Sequence, residues 1–167
     1  MYLLLAEGLA ARKATLKNIG DLETRIAEAA VRYEDDAQDG DEDPTELLAA
    51  FNASASEFED LSTRINRTNN AASLAFDGMK MSVMEAVALR EQMLLRQRGL
   101  KRIIEAIEGT LGKGRRSYGR TRTKDDIKQV NLLPVAGLRK DANALSERIR
   151  RLDLVMQQVN WTTTLLD

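Results

Sequence analysis

The residues able to do chemistry in this chain fall into a few groups. Ten positions from Glu34 to Asp43 are nearly all acid, and the twelve from Lys113 to Lys124 hold six bases and no acid. Four glycines, Gly109, Gly112, Gly114 and Gly119, surround the basic run, and Met79, Met81, Met84 and Met93 cluster in mid-chain. Short polar side chains gather at Asn66, Thr68 and Asn69, and again at Asn160, Trp161, Thr162 and Thr163. What is missing is as informative. The chain has no Cys and no His, which removes disulfides, iron–sulfur clusters, ordinary zinc sites, cysteine nucleophiles and imidazole bases.

Each group is measured against the chemistry it suggests. A calcium loop of the EF-hand type opening at Asp39 needs Gly at its sixth position and Glu at its twelfth, where Pro44 and Ala50 stand. The acids therefore read as a solvated turn, since like charges repel and build no core. Gly109-Thr110-Leu111-Gly112-Lys113-Gly114 lacks both the glycine spacing of a phosphate-binding loop and the Ser or Thr after its Lys. The bases Lys113, Arg115, Arg116, Arg120, Arg122 and Lys124 have the charge to grip phosphates, with Tyr118 placed to stack on a base. The plainer reading of that run is a charged loop answering the acidic one. Met side chains fill irregular gaps in cores, which is the simpler account of the Met group. Glu105 and Glu108 lack the Glu-x-x-His of di-iron bundles. No cofactor and no catalytic residue is expected, so the protein reads as a non-enzyme. The Asn and Thr sets read as helix-end caps that cross-bond, with a ligand pocket as the sharper alternative.

The elements that carry these groups are helices. With only two prolines and 43% hydrophobic residues among 31% charged, long stretches fit the helical period alone. Val135, Leu138, Ala142, Leu145, Ile149, Leu152, Met156 and Val159 form an unbroken heptad seam. Leu47, Phe51, Ser54, Phe58, Leu61 and Ile65 repeat it, as do Leu89, Met93, Arg96, Leu100, Ile103 and Ile107. The first stretch is looser, with Leu5, Leu9, Leu16, Ile19, Ile26 and Tyr33 on one face and, at Asn18-Ile19-Gly20-Asp21, stop and start signals that could kink the helix. Asp43, Pro44 and Glu46 form a helix start, because the carboxylate takes an orphan backbone donor and Pro has none to lose. Ser82 with Glu85 repeats the signal.

Helices are thus predicted at about 3–34, 44–68, 82–109 and 135–160. At about 1.5 Å per residue, runs of ~25–30 residues span roughly 38–45 Å, so the expected fold is all-α, a long antiparallel four-helix bundle built from coiled-coil-like hairpins. One domain is expected over 1–167, with an acidic loop at 34–43 and a basic Gly/Arg-rich loop at 109–133. Up-down-up-down order would set the two loops at one end, and would bring the polar ends of the second and fourth helices together.

Three pieces carry a resemblance that spans most of the chain: Leu5-Ala6-Glu7-Gly8-Leu9-Ala10-Ala11-Arg12, Arg64-Ile65-Asn66-Arg67-Thr68-Asn69, and Asn160-Trp161-Thr162-Thr163 with Leu165-Leu166. In order and separation they resemble the septicolysin-like family of small bacterial proteins of unknown function. The resemblance implies an all-helical, oligomeric protein under a family name that points to a membrane-active cytolysin. The sequence departs from the family pattern across 109–123. It offers no pair of amphipathic strands of about 9–11 residues for a pore barrel.

The net charge of −1 gives no global attraction to nucleic acid or membrane. Glu7 cuts short the apolar start and no basic segment precedes it, so a cytoplasmic protein is expected. The expected partner is the chain itself, as a dimer or a trimer of dimers. Leu3, Leu4, Leu22, Leu94, Leu95 and Ile104 fall outside the seams and are expected to form a surplus apolar surface. A nucleic-acid module using the basic loop is the alternative.

Overall fold

The computed structural model describes residues 2–31, 42–115 and 132–167, with the side chains of 111–115 excepted. The acidic run up to Asp41 and the residues from Arg116 to Asn131 lie outside the described residues, and with them the expected neighbourhood of the two loops. Four long helices and one short β-hairpin make up the described chain: α1 (Leu5–Ala29), α2 (Pro44–Ala71), β1 (Ser73–Phe76), β2 (Met79–Ser82), α3 (Val83–Arg115) and α4 (Val135–Thr162). The helices pair as antiparallel hairpins, α1 with α2 and α3 with α4. The contacts divide the chain into two compact units, Met1–Met84 with Met156–Asp167, and Glu85–Val155.

In the first unit, α1 opens where the Leu4 N–H donates to the Glu7 carboxylate (2.8 Å). The helix runs unbroken through Asn18-Ile19-Gly20-Asp21 despite the stop and start signals there. A helical glycine costs roughly 1 kcal/mol, less than the burial of the neighbouring Leu22 returns. The inner line is Leu5, Gly8, Thr15 and Leu22. Leu16, expected inside, is 56% exposed, one helical position out of line. Small side chains meet at that level instead: Thr15 and Ser54 are buried, and Asn18 Nδ2 donates to Ser54 Oγ (3.0 Å). Leu22, expected outside the seam, is core. Helix α2 starts as read, with Asp43 accepting from the Thr45 N–H (2.8 Å) and Pro44 in the first turn. Its buried line, Leu47, Ser54, Leu61 and Ile65, follows the expected seam.

After α2 the chain turns into a hairpin that the helical reading did not contain. Asp77 and Gly78 both have positive φ, +48° and +79°, the two-residue geometry whose twist matches antiparallel strands. Leu74 pairs with Met81 and Phe76 with Met79, so these four share one face. Met79 and Met81 thus sit on β2, not in a helical turn. The Val83 N–H closes the excursion by donating to the Ala72 carbonyl (3.0 Å).

The second unit is built on α3 and α4. Arg90 pairs with Asp153, Gln97 with Ser146 and Arg139 with Glu108, and each step up one helix is a step down the other. Ala86, Met93 and Ile104 are buried on α3, facing a buried Ala142, Ile149 and Leu152 on α4. The α4 seam is as expected. On α3 the line is shifted: Ile104 is buried and Ile103 is 45% exposed. A seam through Arg96 would bury a guanidinium, so the helix turns Gln97 and Ile104 inward instead. Helix α3 also continues past Gly109 to Arg115, so its last six residues replace part of the expected loop.

Candidate functional site

The expected polar set and the charged ends are the two places to look for chemistry. At the end of α2, Thr68 is buried to 1% exposure. Its hydroxyl donates to the Arg64 carbonyl (2.8 Å) and accepts the Leu166 N–H (2.9 Å). Arg64 reaches the same segment, donating to the Leu166 carbonyl (3.1 Å) and to Asp167 Oδ1 (3.0 Å), and Arg67 donates to the Asp167 carbonyl (3.1 Å). Residues 163–167 are also stitched to the start of α1, with Leu5 N–H on the Thr163 carbonyl (2.9 Å) and Leu165 N–H on the Leu3 carbonyl (2.8 Å). Leu165 closes the clasp by burying its side chain against Leu5 and Ile65. A Cβ on Gly8 would lie 2.9 Å from a terminal methyl of Leu165, which would have to shift to admit it.

The structure therefore brings Thr68 to the segment after α4, and Thr163 to α1. Asn66, Trp161 and Thr162 are exposed, and Asn69 and Asn160 are half-buried. Thr162 Oγ1 turns back onto the Gln158 carbonyl (2.9 Å). Among the described residues no hydrogen bond joins Asn66 or Asn69 to Asn160 or Trp161. The expected meeting of the second and fourth helix ends is realised through Thr68 and residues 163–167, but Arg64, Arg67 and residues 164–167 lie outside the expected set, because no local pattern links residues about a hundred positions apart. With its hydroxyl engaged as both donor and acceptor, Thr68 is a structural tie and not an activated nucleophile.

At the charged ends, Arg25 donates to Glu42 through Nε (2.9 Å) and a second guanidinium nitrogen. That hydrogen bond holds the Glu42 carboxyl below its usual range and the Arg25 guanidinium above its own. The α3·α4 hairpin carries a shallow open depression of about 220 Å³ lined by Lys101, Ile104, Glu105, Arg139, Ala142 and Asn143. Lys113 and Arg115 fall in the last turn of α3, whereas Arg116, Tyr118, Arg120, Arg122 and Lys124 lie outside the described residues. Among the described residues no three Asp or Glu are grouped to hold a metal ion, and no helix is long and apolar enough to cross a membrane.

These features define a helical protein of two antiparallel hairpins, the first of them tied by a clasp to residues 163–167. The chain belongs to a family of unknown function, DUF6847, whose model matches residues 12–165. Its fold is that of a functionally unknown conserved protein from Corynebacterium diphtheriae, similar to this chain with a TM-score of 0.82 and 25% identity over 99% of both chains. No curated protein matches the sequence.

Proposed function

We propose that this protein is a non-enzymatic, self-associating helical protein that works in the cytoplasm, with a second copy of itself as its first partner. The observation that carries the reading is the apolar surface left outside the hairpin seams. Leu16 and Leu48 on the first hairpin, and Leu95 and Leu154 on the second, keep between 50% and 68% of their surface exposed. Apolar area removed from water stabilises by roughly 25 cal/mol per Å², so covering these residues favours association. The lack of His and Cys in the whole chain argues against imidazole and thiol chemistry. The septicolysin-like resemblance of the α1, α2 and α4 segments supports an oligomer.

Sedimentation equilibrium at micromolar concentration is the test, with a mass of at least twice 18.6 kDa expected. The double variant Leu95→Glu with Leu154→Glu should lower that mass with helicity retained, since neither residue is core. Ile104→Glu is not a fair probe, because Ile104 is buried. A wild-type protein that stays monomeric refutes the proposal.

A further inference from the structure

The net charge of −1 conceals a division that appears only once the chain is separated into its two units. Among the described residues the first unit holds 12 Asp and Glu against 7 Lys and Arg, and the second holds 12 Lys and Arg against 7 Asp and Glu. The imbalance is opposite and equal. The connecting sequences 32–41 and 116–131 carry the same signs as the hairpins they join.

Within each hairpin the excess is concentrated. The second half of α1 presents Asp21, Glu23 and Glu28 as exposed acids, and the start of α2 adds Glu42, Asp43 and Glu46, against Arg25 alone. On the other hairpin, α3 exposes Arg96, Arg98, Lys101 and Arg102 with no acid from 92 to 104, whereas Arg139 and Lys140 of α4 are exposed among Glu105, Glu108 and Asp141. Lys101 and Arg139 line the same depression from opposite helices, together with Glu105, and Arg139 pairs with Glu108.

We infer that copies of this chain dock by charge, the acidic α1·α2 hairpin of one copy against the basic α3·α4 hairpin of another. The inference rests on the self-association proposed above and names the surfaces that meet. Complementary fields of this kind speed encounter and fix which surfaces meet. The opposite charge is present in equal amount on every copy, at the same concentration. A polyanion would also meet the basic hairpin, but it would have to approach a molecule whose other unit repels it. Two copies that exchange hairpins would form two identical contacts, the smallest closed assembly such a contact allows.

The test uses the full chain and two charge-reversal variants. One is Asp21→Lys with Glu23→Lys and Glu28→Lys, and the other is Lys101→Glu with Arg102→Glu and Lys140→Glu. All six side chains are exposed, so circular dichroism should show unchanged helix. Sedimentation velocity should find each variant alone associating at least about tenfold more weakly than wild type. An equimolar mixture should recover, because a mixed pair keeps one intact acidic–basic contact and faces reversed charges at the other. Raising NaCl from about 0.1 M to about 1 M, which shortens the screening length from about 10 Å to about 3 Å, should dissociate the wild type.

Association that ignores both salt and reversal overturns the charge docking and leaves self-association standing on apolar contacts alone. A wild type monomeric at every salt concentration overturns both. If the variants weaken but the mixture does not recover, the two hairpins do not meet between copies and the inference fails. It also fails if duplex DNA binds the wild type while self-association stays salt-insensitive.

Discussion

Replacing Leu165 by Ala tests whether the clasp holds the first unit together. Leu165 is 4% exposed and lies against Leu5 and Ile65, which are 0% and 1% exposed, with Leu3 and Leu9 around it. Large-to-small core substitutions of this kind cost roughly 2–5 kcal/mol, the spread reflecting how far the site collapses. Here the half-buried Leu3 and Leu9 can move inward, so the lower part of that range applies, about 2–3 kcal/mol. For a chain of this size each kcal/mol lowers Tm by roughly 2–4 °C, which predicts a drop of about 4–12 °C in the loss of helical ellipticity on heating. The neighbouring Leu166 is the control: its side chain is 43% exposed, and Leu166→Ala should stay within about 0.5 kcal/mol of wild type. The backbone hydrogen bonds of the segment are common to both variants, so the difference isolates the buried side chain. If the two variants melt together, within about 2 °C of wild type, Leu165 does not anchor the segment and the clasp as described is wrong.

Gly78→Ala forces a Cβ onto a residue at φ +79° and should cost about 1–2 kcal/mol, read as faster amide exchange confined to 73–82 with the helices unchanged; uniform protection would contradict the turn. The Arg25–Glu42 pair predicts an acid-side effect. Because the hydrogen bond lowers the folded pKa of Glu42 below its ordinary 4.5, the pair's contribution is complete above that value and is lost as pH falls through the lower folded value. Both groups are at the surface, so the effect is small. Glu42→Gln should flatten the acid limb of the Tm–pH curve while leaving Tm near neutral pH almost unchanged, and an acid limb as steep as wild type would remove the pair from the account.

Where one strong local rule acts alone, the sequence and the structure agree. Asp43-Pro44 starts α2 because a carboxylate and an imino nitrogen each solve the orphan-donor problem of a first turn. The α4 seam holds because every a/d position from Val135 to Val159 is apolar or small. On α1 and α3 two candidate faces compete one residue apart, and period alone does not choose between Leu16 and Thr15, or between Ile103 and Ile104. The choice falls to the partner helix: a small Ser54 invites Thr15, and Gln97 turns in beside Ser146 where Arg96 could not. The β-hairpin lost a similar competition. Ser73-Leu74-Ala75-Phe76 and Met79-Lys80-Met81-Ser82 alternate at the strand period around Asp77-Gly78, a strong hairpin signal, but strands of four residues are too short to stand out beside a 33-residue helix.

The candidate sites were less accessible for a different reason. The clasp depends on Arg64 and Thr68 meeting residues 166 and 167, and nothing local to either end requires it. The charge division is the opposite case. Every residue in it was visible, but a net charge summed over the chain cancels two units of opposite sign. Only the fold says which acids share a unit, because Asp21 and Glu46 come into one unit through the α1·α2 hairpin, as Lys101 and Arg139 do through α3·α4. A charge sum is informative when taken over each compact unit, and in this chain the described residues of the two units carry opposite sums.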